Sequence, residues 1–406
     1  MDTYGIDYLR NKLSVKAQRV GMRYRYYEMK NQIKNVSPLI PPEFRAYAYS
    51  LGWCAKAVDS LADRIVYDRF DNDDFNLTQI YSQNNADILF DSVILSAFIS
   101  SCSFIYIDSD SKYPRLEAID GGNATGVIDT VTNLLSEGYA VLSRNKYGYA
   151  ETEAYFLPYR TEYYKGGKIF DVYEHKSPYP LLVPVINRPD ARRAFGHSRI
   201  SRTCMDIVQS AVRTLLRAEV TAEFYSVPQK YTLGLSQDAG FDKKRARYSD
   251  FLNLPQDENG IVPKVGQFSQ VSMSPHMEHI KMLASMFAGE TGLTLDDLGF
   301  NTANPASYDA IRASHENLRL TARKAQRNFG TGFLNAGYLA ACIRDNYSYD
   351  RAAFADCKCA WLPIFEPDTA ALGAAGDAIL KINQAVPDFI GNRNIRQLTG
   401  LESDSQ

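Results

Sequence analysis

Apolar residues recur at steps of three or four along most of this chain, and at steps of two over one stretch, and the two periods predict different elements. The opening segment to Lys34 reads as a helix rich in Arg and Tyr, broken by Pro38, Pro41 and Pro42. From Ala46 to Tyr67, the residues Tyr47, Leu51, Cys54, Val58, Leu61 and Ile65 fall on one helical face. Asp71 to Asp74 reads as an acidic turn, and Asp87 to Ser101 as a further helix. The period then shortens. Phe104–Ile107, Gly138–Leu142, Glu153–Leu157 and Thr161–Tyr164 are short β-rich runs, and Lys165-Gly-Gly-Lys168 is a hairpin turn. Together they predict an α+β unit ending near Pro189.

A second helical region follows. Ser198 to Phe224 carries the apolar stripe Ile200, Cys204, Val208, Ala211 and Leu215. At about 100° per residue, Arg202, Asp206, Arg213 and Arg217 fall on the other side. Pro228 ends this helix. Gln229 to Ser274 reads as short strands and turns around a basic knot of Lys243, Lys244, Arg245 and Arg247. Pro275 opens a helix to Thr291 with Ile280, Leu283 and Phe287 on one face. Leu293 to Ser307 is a long connection between helices, and loops of that length tend to carry function. From Tyr308 to Arg344 an apolar stripe runs from Ile311 through Phe329 and Phe333 to Ile343, about 55 Å if wholly helical. Gly330, Gly332 and Gly337 are candidate kinks in it. Residues 354–365 read as strand, and 367–385 and 391–400 as helical pieces.

Composition narrows the class. The 406 residues are long enough for more than one packed unit, and 45% hydrophobic with 23% charged is the balance of a globular protein. No apolar run reaches the length of a membrane span, and the first ten residues lack the apolar core of a secretory signal, so use inside a cell is expected. Six scattered cysteines do not read as a disulfide framework. A net charge of −2 argues against a basic nucleic-acid glove. The charge is uneven: residues 1–35 carry eight Lys/Arg against three acids, and residues 345–406 nine acids against five Lys/Arg. Such blocks permit contact between copies, although on charge alone scattered solvated faces are the favoured reading. The 27 tyrosines fit a chain with wet interfaces.

Tests for chemistry come out negative. Gly121 to Gly126 is glycine-rich but lacks the Gly-Lys-Ser/Thr end of a phosphate loop and reads as a turn. His276 and His279 do not have the spacing of a zinc-binding His-Glu-x-x-His. Cys357 and Cys359 have no second ligand pair nearby, and strand alternation puts both thiols on one face. Asp71, Asp73 and Asp74 are the one carboxylate cluster that metal-dependent phosphoester chemistry could use. No catalytic residue, cofactor or metal is expected.

Several stretches together resemble the portal family of tailed double-stranded-DNA phages, the head–tail connectors. They are Tyr26–Asn31, Pro41–Arg45 and Ala55–Arg64; Val183–Pro189 with Gly196–Ile200; Pro228–Tyr231 and Pro263–Phe268; Phe287–Gly292 with Leu298–Phe300 and Ser307–Phe329; and Trp361–Pro363 with Glu366–Asp368. Their order and spacing carry the resemblance, which covers most of the chain.

The resemblance implies an α+β portal-type subunit with an α+β wing, long stem helices, a small β-containing clip and a short helical crown. On it, residues 1–195 are the first part of the wing, 196–224 a stem helix, 225–274 the clip and 275–291 the second stem helix. Residues 292–307 are the tunnel loop, 308–365 the long wing helix with returning strands, and 366–406 the crown. The loop facing DNA would present Asp296, Asp297, Phe300, Asn301, Thr302 and Asn304, without Lys or Arg to grip phosphates. Arg202, Asp206, Arg213 and Arg217 would form the polar face of the stem, and Lys243, Lys244, Arg245 and Arg247 a docking knot on the clip. The implied function is a ring channel at one capsid vertex, twelvefold, for DNA packaging and ejection. Its implied partners are copies of itself, the terminase large subunit, a head-completion adaptor protein, the major capsid protein, a scaffolding protein and DNA in the channel, with no membrane. It would reside at the portal vertex of the virion, and in the host cytoplasm during assembly. The rivals are a metal-dependent phosphoesterase and a minor capsid or adaptor protein without a channel.

Overall fold

Helical and alternating segments fold into separate layers. The computed structural model describes residues 3–38, 40, 42–46, 50–108, 113–226, 230–233, 262, 264–267, 272–300, 313–365, 369–387, 389–391 and 394–395. In chain order the helices are α1 (Ile6–Tyr27), α2 (Trp53–Ala62), α3 (Leu77–Ser82), α4 (Ala86–Ser100), α5 (Arg202–Ser226), α6 (Ser274–Thr291), α7 (Glu316–Arg344) and α8 (Thr369–Ala385). The strands are β1 (Tyr67–Asp71), β2 (Cys102–Asp108), β3 (Arg115–Ile119), β4 (Ala124–Ile128), β5 (Leu135–Arg144), β6 (Ala150–Leu157), β7 (Arg160–Lys165), β8 (Lys168–Glu174), β9 (Leu182–Ile186), β10 (Lys230–Leu233), β11 (Lys264–Gln267) and β12 (Lys358–Trp361). The mixture is α+β, as expected. No helix among the described residues is long and apolar enough to cross a membrane.

Two units are distinct. The first joins Met1–Asn31, Gly52–Met205 and Glu290–Gln406; the second joins Gln32–Leu51 and Asp206–Gly289. In the first, β4 to β8 form an antiparallel meander in chain order, and β3, β2 and β9 a second sheet. The Gly166–Gly167 turn joins β7 to β8 with both glycines at positive φ, which two-residue hairpins require.

Helix α1 lies on the meander through Leu9 and Leu13, against Tyr139, Val141 and Tyr155. Its start is fixed by buried Glu137, which accepts hydrogen bonds from the Tyr4 and Gly5 amides at 2.7 and 3.1 Å. The basic block of the N-terminus is largely engaged within this unit. Arg10 pairs with Glu153 at 2.8 Å, and Lys12 and Lys16 donate to the carbonyls of Gly126 and Ala124.

The helical core gathers on α7. Phe333 stacks on Phe90 of α4 with ring centroids 3.8 Å apart, and Phe329 meets Phe98 edge-on. The Tyr81 hydroxyl, fully buried, donates to the Phe333 carbonyl at 2.6 Å. The three glycines do not break α7, which runs unbroken for 29 residues. They admit neighbours instead. A Cβ on Gly332 would lie 3.2 Å from the Pro184 carbonyl, and one on Gly337 would lie 2.9 Å from Leu77.

Several boundaries differ from the periodicity. The second helix begins at Trp53, after a 3-10 turn at Pro42–Ala46, and it stops at Ala62. Tyr67–Asp71, expected as the end of that helix and the start of an acidic turn, is a strand paired antiparallel with β12. Its partner lies far away in sequence, so no local signal marks it. Tyr47 and residues 308–312 lie outside the described residues.

Candidate functional site

The expected loop begins where α6 ends. Gly292 takes φ +69° and turns the chain out of the helix. Thr294 then contributes its amide and hydroxyl as donors to one oxygen of Asp297, both at 2.9 Å, around a 3-10 turn at Asp296–Leu298. Leu293 and Leu298 are buried beneath, and Gly299 closes the turn at φ +88°.

Asp297 does more than cap. Its carboxylate meets His315 Nε2 at 3.2 Å, and His315 is the residue just before α7. The two feet of the segment are thus pinned by one pair. Burial works against the Asp297 charge, but Thr294 and His315 outweigh it and hold the carboxyl below its ordinary range. Asp296 is exposed and Phe300 half-buried, while Asn301, Thr302 and Asn304 lie outside the described residues.

The paired helices follow the predicted stripes. Ile200, Cys204, Val208 and Ala211 are buried, as are Ile280, Leu283 and Phe287 of α6. Helix α5 starts four residues later than its periodicity indicates, because Ser201 caps it by accepting from the Cys204 amide at 3.1 Å. Arg202, Asp206 and Arg217 are exposed. Arg213 is half-buried and reaches the Lys34 carbonyl at 3.3 Å.

In the second unit, Thr214 meets His279 at 3.1 Å and Thr221 meets His276 at 3.0 Å, so α5 and α6 run antiparallel with a polar ladder between them. The two histidines are therefore rungs, and among the described residues no group of His, Cys, Asp or Glu is arranged to hold a metal. Strands β10 and β11 pair antiparallel, Lys230 opposite Gln267. Lys243, Lys244, Arg245 and Arg247 lie outside the described residues.

The carboxylate cluster is structural. Asp73 accepts from the Leu77 and Thr78 amides at 2.6 and 2.7 Å and caps α3, and Asp71 pairs with Arg69. A carboxylate so engaged is poorly placed as a metal ligand or base.

One residue carries more than its sequence context signals. Arg199 is half-buried ahead of α5. Its side chain donates to the Ala57 carbonyl at 3.2 Å and to the Thr291 carbonyl at the end of α6, and its amide bonds the Phe98 carbonyl. Burial lowers its pKa to about 10, so it remains charged at neutral pH. An Arg between Ser198 and Ile200, just ahead of α5, is the only trace of this role in the sequence.

No family model matches the chain. Two curated relatives do. One is the "Portal protein" of Mycobacterium phage L5, 24% identical over 340 residues that span 78% of this chain and 69% of the relative. The other is the "Portal protein" of Mycobacterium phage D29, 23% identical over 339 residues with the same coverage. The chain is similar to these two portal proteins along most of its length. Among solved structures, the chain is similar to a chain from the virion of a native gene transfer agent particle, at 15% identity and TM-score 0.48 over 86% of this chain and 90% of that one. A chain from the neck of the native particle computed with C12 symmetry gives the same values.

Proposed function

We propose that this chain is the repeating subunit of a closed ring whose channel passes double-stranded DNA into and out of a capsid. The observation that carries the reading is the match to two curated portal proteins along 78% of the chain. Two features of the molecule support it. The antiparallel α5–α6 pair supplies an elongated stave with one apolar and one polar side, and staves of this kind gain from neighbours. From Gly292 to Ser307 the chain carries no Lys or Arg, which suits a surface along which phosphates must slide rather than bind. Twelve copies is the number the family resemblance implies. Docking of a terminase motor, and later of a head-completion adaptor, would fall to the segment between β10 and β11. Contacts with the major capsid and scaffolding proteins, residence at the virion portal vertex and assembly in the host cytoplasm complete the reading.

The phosphoesterase alternative is disfavoured by the engagement of Asp73 with the α3 amides. Light scattering together with negative-stain imaging of the purified chain tests the proposal. The expected result is a ring of about twelve copies with a central hole. A stable monomer at high concentration would remove the channel, and an assembly without a hole would favour the adaptor reading.

A further inference from the structure

The first unit carries a cationic cleft and, elsewhere on its surface, an acidic knob of matching form. The cleft, about 440 Å³, lies between α7 and β12. Its floor is Gly330, Leu334 and Trp361, and its rim is Arg323, Arg327 and Lys358. A Cβ on residue 330 would rest in ordinary contact, 3.4 Å from Cys359 and 3.6 Å from the indole nitrogen of Trp361. Arg323, Arg327 and Lys358 are exposed, and among the described residues none has an ion-pair partner.

The knob is the first turn of α4. Ile88 is 68% exposed, an unusual place for a large aliphatic side chain, and Asp87 and Asp91 flank it. Asp63 stands nearby. Burial and the neighbouring carboxylates Asp87 and Asp63 push the Asp91 carboxyl above its ordinary range. Among the described residues none of these three acids has an ion-pair partner either.

The two surfaces correspond in spacing as well as sign. Asp87 and Asp91 are four apart on one helix, as Arg323 and Arg327 are on another, so each pair sits about 5–6 Å apart. Like charges at that spacing disfavour their own helices, and docking one pair on the other relieves both. Between the carboxylates stands an aliphatic side chain, and below the guanidinium groups lies an apolar floor.

The knob cannot reach its own cleft. Phe90 points inward, its ring 6.0 Å from Trp361, and Ile88 lies about 160° further around α4. The match must therefore be made between copies. Because knob and cleft are different surfaces, the contact is head-to-tail, the kind that closes into a ring. We propose that the Asp87–Ile88–Asp91 knob of one copy seats in the Arg323–Arg327–Trp361 cleft of the next, as part of the ring-closing interface. This rests on the ring reading of the preceding subsection.

The test is charge reversal with cross-mixing. Arg323→Glu with Arg327→Glu makes one variant, and Asp87→Arg with Asp91→Arg the other. Each alone should fold, by its thermal melt, yet lose the ring peak in light scattering. Mixed in equal amounts they should recover rings, because each reversed cleft then meets a reversed knob and each native cleft a native knob. Rings from either variant alone, or no rings from the mixture, would overturn the proposal. As a readout independent of reversal, Ile88→Cys with Leu334→Cys should give disulfide-linked chains on mild oxidation of the assembled protein, and their absence counts against the contact. Failure of the unaltered chain to form rings would instead sink the ring reading, and the knob-and-cleft contact with it.

Discussion

Arg199 ties the middle of α2 to the end of α6 with one charged side chain, and its loss should be costly out of proportion to its size. Arg199→Met keeps much of the apolar volume but leaves the Ala57 and Thr291 carbonyls without their donor. A loss of about 2–4 kcal/mol is expected, read from urea unfolding of the first unit. A retained midpoint would show that water replaces the guanidinium. His175 gives a pH-dependent counterpart. Burial lowers its imidazole pKa to about 4, against a favourable contact with the Ser177 backbone. The folded chain therefore holds it neutral, while the unfolded chain takes a proton below about pH 6.5. Its stability contribution is full above that value and is lost as pH falls toward 4, by at most about 3 kcal/mol. His175→Leu should flatten the melting temperature between pH 6.5 and 4, and an unchanged slope would rule the residue out. Neither role was visible in the sequence, since burial of a single polar residue is decided by chain segments remote from it.

At the scale of elements, α7 shows what its glycines are for. Read along the sequence they are kinks, yet a straight helix needs them wherever another backbone comes close. Gly332→Val should push α7 away from β9 and destabilise the fold by about 1–3 kcal/mol, whereas Gly373→Ala in α8, where a Cβ meets open space, should be neutral or slightly stabilising. Comparing the two melts separates close packing from helix propensity, and equal shifts would contradict the packing argument. The Asp297–His315 pair belongs to this scale too, because it holds the end of one element to the start of another. Asp297→Ala removes a turn cap and the contact with His315 together, and about 1–3 kcal/mol of stability should go with them, measured by thermal melting at neutral pH. The helices and hairpin strands were readable because their periodicity is local. Strand β1 was not, because Tyr-Asp-Arg-Phe-Asp carries no clear alternation and becomes a strand only by pairing with β12.

For the whole molecule, the expectation concerns assembly and passage. Deleting residues 296–304 removes most of the loop together with its Asp297 anchor and should leave subunit association largely intact while impairing DNA packaging or retention. A particle assay for packaged DNA reads this outcome, and normal packaging would take the loop out of the mechanism. The charge blocks noted in the sequence bear on assembly differently from their first appearance. Much of the N-terminal basic block is engaged inside its own unit, with Glu153 and with backbone carbonyls. The charges left open for another copy are instead on α4, α7 and β12.

The sequence by itself determined the class of fold, the long helices with their apolar stripes and the hairpin at Gly166–Gly167, and the order of its short stretches carried the resemblance to portal proteins. Each of these is written in neighbouring residues, through a repeat of two or 3.6 or through a glycine that alone tolerates the turn. Tertiary structure alone decided that Asp73 is a cap rather than a ligand, that Arg199 is a tie between α2 and α6, that segment 32–51 belongs with α5 and α6, and that an exposed Ile88 and an open cleft face away from each other. Those outcomes depend on which distant segments exclude water from a side chain or supply its partner, and local periodicity holds no record of that.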